Sequence, residues 1–345
     1  MADEKHGMGE KSVNETRGRR LFVVIPCYNE EEVLPETAKR LKLKMTALIE
    51  SGMIADNSRV LFVNDGSADR TWELIRGMHE EDPLFQGIDL ARNSGHQNAL
   101  VAGLFTAAGL CDMTISMDAD LQDDINVIDQ MVEKYLGGAD IVYGVRSDRR
   151  TDSVFKRFTA ETFYKLMDRM GAKTVYNHAD YRLMSARALE GLKQFGEVNL
   201  FLRGMVPLVG YPSEIVTYER AERFAGKSKY PLSKMLQFAL QGITSLSVRP
   251  IRMITGLGFF IFFVSIIVLI YSLVRYFTGH TIPGWTTTVL SVWAIGGLIM
   301  ISLGVIGEYI GKIYLETKAR PRYLIASYLK DAEDEPDLID RKGRV

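Results

Sequence analysis

Asp118 and Asp120 stand one residue apart at the end of an apolar run, 113–117, that reads as a buried strand. In an open α/β sheet, ligands bind beyond the carboxyl ends of the strands. Side chains at i and i+2 of a strand point to one side. Two carboxylates held that close repel unless a cation or a proton sits between them. Hard oxygen donors beside an anionic substrate favour Mg²⁺ or Mn²⁺ over zinc. By itself Asp-x-Asp is a weak signal, since an acidic turn after a strand looks the same. The other strand ends of the chain add to it.

The run 21–25 is continuously apolar and ends in Pro26, Tyr28, Asn29 and Glu30, with a helical pattern from Glu31. A second run, 60–63, leads into Asn64, Asp65, Gly66, Ser67 and Asp69, residues suited to a tight turn and an N-cap, with a helix from about Arg70. A third, 87–90, passes through Arg92, Asn93 and Gly95 into an Ala/Gly-rich helix that reaches about Gly109. The Asp118 strand is the fourth and 140–144 the fifth. Strands alternating with helices at this spacing predict a parallel sheet covered by helices on both faces. Four polar strand ends then share one edge and build one site. No Walker-A pattern occurs and no Gly-x-Gly-x-x-Gly follows a strand, so neither a P-loop nor a dinucleotide fold is supported.

The 345 residues carry 42 Lys+Arg against 43 Asp+Glu, and this balance gives no sign of a nucleic-acid partner. Two cysteines, Cys27 and Cys111, form no spaced cluster, so neither structural disulfides nor zinc are expected. The polar residues 1–19 read as a flexible tail with no signal peptide. Two uncharged runs, 253–274 and 286–307, match the roughly 20 residues that span hydrocarbon and predict transmembrane helices over about 253–275 and 286–310. Arg249 and Arg252 precede the first, and Lys312, Lys318, Arg320 and Arg322 follow the second. Positive charge on the side of both termini predicts a multi-pass cell-membrane protein with its soluble domain and both termini in the cytoplasm. Two basic amphipathic segments, 153–171 and 231–247, are candidates for lying on the bilayer surface, with packing against the sheet as the alternative. The expected organisation is a tail (1–19), a catalytic domain (20–230), a juxtamembrane helix (231–250), two transmembrane helices (251–311) and a cytoplasmic tail (312–345). Gly307 and Gly311 permit helix association and hence a homo-oligomer, without demanding one.

Taken together, Pro26, Tyr28, Asn29, Glu30, the 64–71 turn, Arg92, Asn93, Gly95 and the 118–122 motif resemble the inverting nucleotide-sugar glycosyltransferases of the GT-A fold, family 2. The resemblance implies that fold for the soluble domain. It implies a nucleotide-sugar pocket lined by Pro26, Tyr28, Asn29, Glu30, Asp65, Arg92, Asn93, Gly95, Asp118 and Asp120, and a metal held by Asp118, Asp120 and Gln122. Further motifs at 142–146, 155–157, 180–185, 201–204, 226–230 and 307–312 look like the polyisoprenyl-phosphate glycosyltransferases. The two-span branch is similar to the bactoprenol glucosyltransferases, and dolichol-phosphate mannose synthases share the catalytic domain. The implied partners are a UDP-sugar, a polyprenyl phosphate and the bilayer. Glucose is the default sugar, and a hydroxyl acceptor or another sugar stays open.

A phosphate monoester is already ionised at neutral pH, with a second pKa of about 6. It needs little help from a general base to attack an anomeric carbon. It needs cations that offset the repulsion between two anionic substrates. Arg146 and Arg203 are therefore expected at the reacting groups, with Arg182, Ser228 and Lys229 on the acceptor phosphate. Asp180 matches the position usually assigned as catalytic base in this family. With a phosphate nucleophile its expected task is lighter: fixing Arg182, orienting the acceptor, or holding a sugar hydroxyl. His96 and His178 receive no role, and Glu308 is read as structural.

Overall fold

A computed structural model of the chain describes residues 19–146, 178–219, 244, 247–278 and 284–331. The surface segment 153–171, Ser228, Lys229 and nearly all of the juxtamembrane segment lie outside the described residues, as do residues 1–18 of the N-terminal tail.

Strand β1 (Leu21–Cys27) is buried at all seven positions, as a strand covered on both faces must be. Its alternation feeds two cores. Leu21, Val23 and Ile25 pack under α1 (Leu34–Glu50), α2 (Thr71–Glu81) and α4 (Ile128–Leu136). Phe22 and Val24 pack under α3 (His96–Ala107), α5 (Ala186–Lys193) and α6 (Leu202–Leu208). Each large apolar side chain so buried contributes about 1.5–3 kcal/mol. Helix α3 lies directly on the sheet because Gly103 leaves it room: a Cβ there would stand 2.4 Å from Val24 Cγ1.

Among the described residues, eight strands form one sheet in the order β7-β5-β6-β4-β1-β2-β3-β8. β1, β2 (Arg59–Asn64), β3 (Phe85–Leu90) and β4 (Met113–Ser116) are parallel, as the sequence predicts. The fifth expected strand, β5 (Ile141–Arg146), forms but does not neighbour β4. Strand β6 (His178–Ser185) inserts between them and pairs antiparallel with both. Because it runs the other way, β6 begins at the edge where the parallel strands end. β7 (Ser213–Tyr218) closes that side, parallel to β5.

Two long helices follow, α7 (Arg249–Phe277) and α8 (Trp285–Lys318). Both are long and apolar enough to cross a membrane, with mean hydropathy 2.3 over Arg249–Val268 and 1.7 over Ser291–Lys318, and neither window is buried in the protein. α8 runs past its expected end near residue 310. Tyr309 Oη donates to the Ser247 carbonyl at 2.6 Å, tying α8 to the approach to α7. The expectation of a cytoplasmic tail over 312–345 needs correction for its first part. Residues up to Lys318 complete α8, and β8 (Ile325–Leu329) returns to pair antiparallel with β3. The free edge of β3 offers unpaired backbone groups that the returning chain satisfies.

Candidate active site

The loops after β1 and β2 are laced together by side-chain-to-backbone bonds. Asn29 adopts φ 55°, its N–H donates to Ser67 Oγ at 3.0 Å, and its Oδ1 accepts from Ala68 N at 2.8 Å. Glu30 N donates to Thr71 Oγ1 at 2.9 Å. Asp65, buried at the end of β2, accepts from Ser94 N at 2.6 Å and Gly95 N at 2.9 Å. It thereby holds the β3–α3 loop that carries Arg92 and Asn93. Burial raises its pKa, against the pull of those two backbone donors. Gly66, with φ +64°, lets that loop come close: a Cβ would stand 2.6 Å from Asn93 N. Pro26 pairs in register with Val63, one position before the last pair Cys27 and Asn64, and Tyr28 is half exposed just beyond. All the expected nucleotide-pocket residues of β1, β2 and β3 therefore cluster on one edge.

The aspartate motif differs from its reading as a strand. β4 stops at Ser116, so Asp118 and Asp120 lie on the turn beyond it and strand alternation does not orient them. Leu121 takes φ 57°, and Asp120 Oδ1 turns back to accept from Gln122 N at 3.2 Å. A tight turn of this kind satisfies the backbone that a longer strand would have paired.

Across from the motif lies β6. Asp180 and Arg182 share one face of this strand, two residues apart. Arg182 is 2% exposed and donates from Nη2 to Asp180 Oδ1 at 2.6 Å. Arg203, on α6, donates from Nη2 to Asp180 Oδ2 at 3.2 Å and from Nε to Oδ1 at 3.4 Å. His96, the first residue of α3, places Nε2 3.7 Å from Asp180 Oδ2 and 3.6 Å from Asp118 Oδ1. Two guanidinium groups and an imidazole thus surround one carboxylate. Burial pushes the Asp180 carboxyl up, but Arg203, His96 and Arg182 outweigh it and hold it well below the usual range. Burial opposes charge on His96, and the Asp180 and Asp118 carboxylates more than offset it, so its pKa is raised. Asp118 is pushed up to about 6, chiefly by burial, with His96 opposing and Asp123, Asp180 and Asp120 adding repulsion.

Arg146 stands at the end of β5, with Nη2 3.7 Å from Asp123 Oδ1 and Nε donating to Tyr218 Oη at 3.4 Å. Tyr218 in turn donates to Asp123. Arg146 is therefore anchored to the wall formed by Asp123 and Tyr218, and Arg203 is anchored to Asp180. The participation of His96 was not expected from the sequence. Its place, directly after the Gly95 turn at a strand end, was the available signal.

Among the described residues, no three His, Cys, Asp or Glu side chains converge on a metal-sized site. Asp118, Asp120 and the Gln122 amide offer a partial set of oxygen donors. That set fits Mg²⁺ or Mn²⁺, which keep several waters and take phosphate oxygens from a bound nucleotide. Burial is the main cause that raises Asp118, and a cation bound at the same place would offset both that cost and the smaller repulsion from Asp123, Asp180 and Asp120.

Comparison with known proteins agrees with this architecture. Residues 22–192 match the model of the family described as Glycosyl transferase family 2. The chain is 53% identical over 325 residues to the uncharacterized glycosyltransferase YkoT of Bacillus subtilis (strain 168), covering 94% of this chain and 96% of that one. It is 40% identical over 313 residues to the bactoprenol glucosyl transferase of Shigella phage SfX, covering 89% and 99%. Among solved structures, glucosyl-3-phosphoglycerate synthase from Mycobacterium tuberculosis, in complex with Mn²⁺ and UDP-glucose, is a distant partial likeness at 18% identity and TM-score 0.40, covering 66% of this chain and 78% of that one. Identity of 53% and 40% over most of this chain and nearly all of these relatives, together with the family match over 22–192, makes the chain a member of glycosyltransferase family 2 and a glycosyltransferase by activity.

Proposed function

We propose that this enzyme transfers glucose, with inversion, from UDP-glucose to a polyprenyl phosphate at the cytoplasmic face of the cell membrane. The observation that carries the proposal is the Arg182, Arg203 and His96 cluster around Asp180, facing Asp118 across the sheet edge. It concentrates positive charge where two anionic substrates must approach. The glucosyl donor and lipid acceptor draw support from bactoprenol glucosyl transferases about 40% identical over nearly their whole length. Two helices long and apolar enough to cross a membrane support a site close to lipid headgroups.

The loops at Tyr28, Glu30, Asp65 and Asn93 hold the nucleotide. Asp118, Asp120 and Gln122 hold Mg²⁺ or Mn²⁺, which when bound offsets the charge developing on the departing diphosphate. Arg203 and Arg146, with Ser228 and Lys229, bind and aim the acceptor phosphate. Arg182, buried beneath Asp180, supports them by fixing that carboxylate. One phosphate oxygen forms a bond to the anomeric carbon as the bond from that carbon to the diphosphate oxygen breaks. The electron pair leaves with UDP. No proton has to move, so Asp180 works as the counter-charge that orders the arginines rather than as a base. Product stereochemistry tests the proposal: an α-linked donor must yield a β-linked lipid phosphate sugar by NMR, and an α-linked product contradicts it.

A further inference from the structure

Helix α8 has 34 residues, about 51 Å at 1.5 Å per residue, against a hydrocarbon thickness of about 30 Å. The charged residues Lys312, Glu316 and Lys318 mark its last turns as the part that extends beyond the uncharged run, and Glu316 sits on them. The Glu316 carboxylate accepts from Val198 N at 2.8 Å, from Asn199 N at 2.8 Å and from Asn199 Nδ2 at 2.7 Å. Asn199 Nδ2 also lies 3.5 Å from the Lys312 carbonyl, one turn back along the same helix. Just past the helix end, Arg322 Nη2 donates to the Phe195 carbonyl at 2.9 Å. The loop before α6 is thus held at 198–199 by the end of the second long helix and at Phe195 by Arg322 just beyond it.

The same loop runs straight into the catalytic cluster. Phe201 is buried, and Leu202 N donates to Gln97 Oε1 at 3.0 Å, beside His96 at the start of α3. The next residue, Arg203, grips Asp180. From the carboxylate on the projecting helix to the guanidinium in the site, the path is five residues of chain, 199–203, held at its ends by hydrogen bonds. Three N–H groups on one carboxylate form a charge-assisted clamp that a neutral residue cannot reproduce.

We propose that Glu316 is a positioning residue: it ties the second span to the 198–203 loop and so sets where Arg203 meets the acceptor phosphate. This rests on the proposed acceptor reading. Glu316 touches no substrate. It acts through the loop, so its loss reaches the acceptor side and spares the nucleotide side, which hangs on β1, β2 and β3.

The test uses the full-length enzyme in lipid nanodiscs, with UDP-glucose and undecaprenyl phosphate. Glu316→Ala is expected to raise KM for the lipid phosphate about tenfold, the scale of one lost charge-assisted bond. Donor KM and UDP affinity should stay within about twofold of wild type. Asn199→Ala, which removes only one donor and is milder on folding, should move acceptor KM the same way by less. In an Arg203→Ala background, Glu316→Ala should add nothing further to acceptor KM, because both act on the same step. Multiplicative effects of Glu316→Ala and Arg203→Ala, or equal rises in donor and acceptor KM, overturn the inference while leaving the acceptor reading intact. A wild-type enzyme that transfers no sugar to undecaprenyl phosphate overturns the acceptor reading itself.

Discussion

Asp118 and Asp180 face one another across the β4–β6 pair, each two residues beyond the Ser116–Arg182 register match, and His96 Nε2 stands 3.6 Å from the first and 3.7 Å from the second. One carboxylate opens the aspartate motif and the other is enclosed by arginines. Their environments push their pKa values apart, Asp118 up to about 6 and Asp180 well below the usual range. That divergence separates them: Asp180 is a fixed negative charge, and Asp118 is a buried carboxylate whose ionised form a bound cation would stabilise.

A carboxylate so firmly ionised is a poor base and a good anchor. Asp180→Asn should lower transfer by about 10- to 100-fold, the range for groups that orient others. Asp120→Ala should lower it by about 10³-fold, the upper range for removing electrostatic stabilisation of the transition state. Asp180→Asn should also reduce stability by about 3–5 kcal/mol, since Arg182 is left buried without its counter-charge. Steady-state rates and thermal unfolding of the two variants check this. Equal loss of rate in both, with Asp180→Asn folded and still binding UDP, would return Asp180 to the role of base.

Gly66 is the contact point between the second and third loops. With φ +64° and a Cβ position 2.6 Å from Asn93 N, alanine there must displace backbone. Gly66→Ala should weaken UDP binding by about tenfold and cost about 1–3 kcal/mol of stability through strain at this backbone conformation. Calorimetric titration with UDP and Mn²⁺ measures the first, and denaturant unfolding the second.

Both thiols are buried and held neutral. Burial pushes Cys111 up to about 12 and carries Cys27 well above its ordinary value, helped by Glu30 and Asp69. Neither should react with iodoacetamide at pH 8 in the folded enzyme, and both should react after denaturation. Because the folded pKa is raised, the folded state keeps these protons when the unfolded chain loses them. Their linkage therefore leaves stability unchanged below the unfolded thiol pKa and erodes it as pH rises above that value. Mass spectrometry of the alkylated protein counts the modified sites.

The parallel part of the fold was legible because strands buried on both faces write themselves as unbroken apolar runs, as 21–25 and 60–63 do. Their polar ends marked one edge, and the structure gathers Tyr28, Asn29, Glu30, Asp65, Asn93 and Gly95 there. Strand β6 was harder to see. Asp180 and Arg182 alternate with Tyr181 and Leu183, and a buried Arg–Asp pair hides the apolar signal that normally announces a central strand. The grip of Arg203 on Asp180, 23 residues apart, is a tertiary event with no local trace. β8 was hidden by position, since a strand after two long apolar helices rarely rejoins the sheet before them. Asp118 and Asp120 were found as chemistry but placed wrongly on the strand, because the turn at Leu121 begins sooner than the apolar run suggests.

The return of β8 predicts that the edge of β3 depends on it. Replacing Ser327 by proline removes one strand N–H and should raise amide hydrogen exchange over 87–90 by about tenfold or more, with smaller change in β1. Exchange mass spectrometry resolves the two strands, and equal protection of β3 in both proteins would show that β8 does not hold the edge.

The central claim is sugar transfer to a lipid phosphate, and its direct measurement is the partition of label from radioactive UDP-glucose. The enzyme, undecaprenyl phosphate and Mn²⁺ or Mg²⁺ are incubated together, and the organic phase is counted. Label in the lipid that requires the metal and the acceptor, and vanishes with Asp120→Ala, is the predicted result. Label that stays in water as free glucose or polymer, with none in the lipid, would contradict the account.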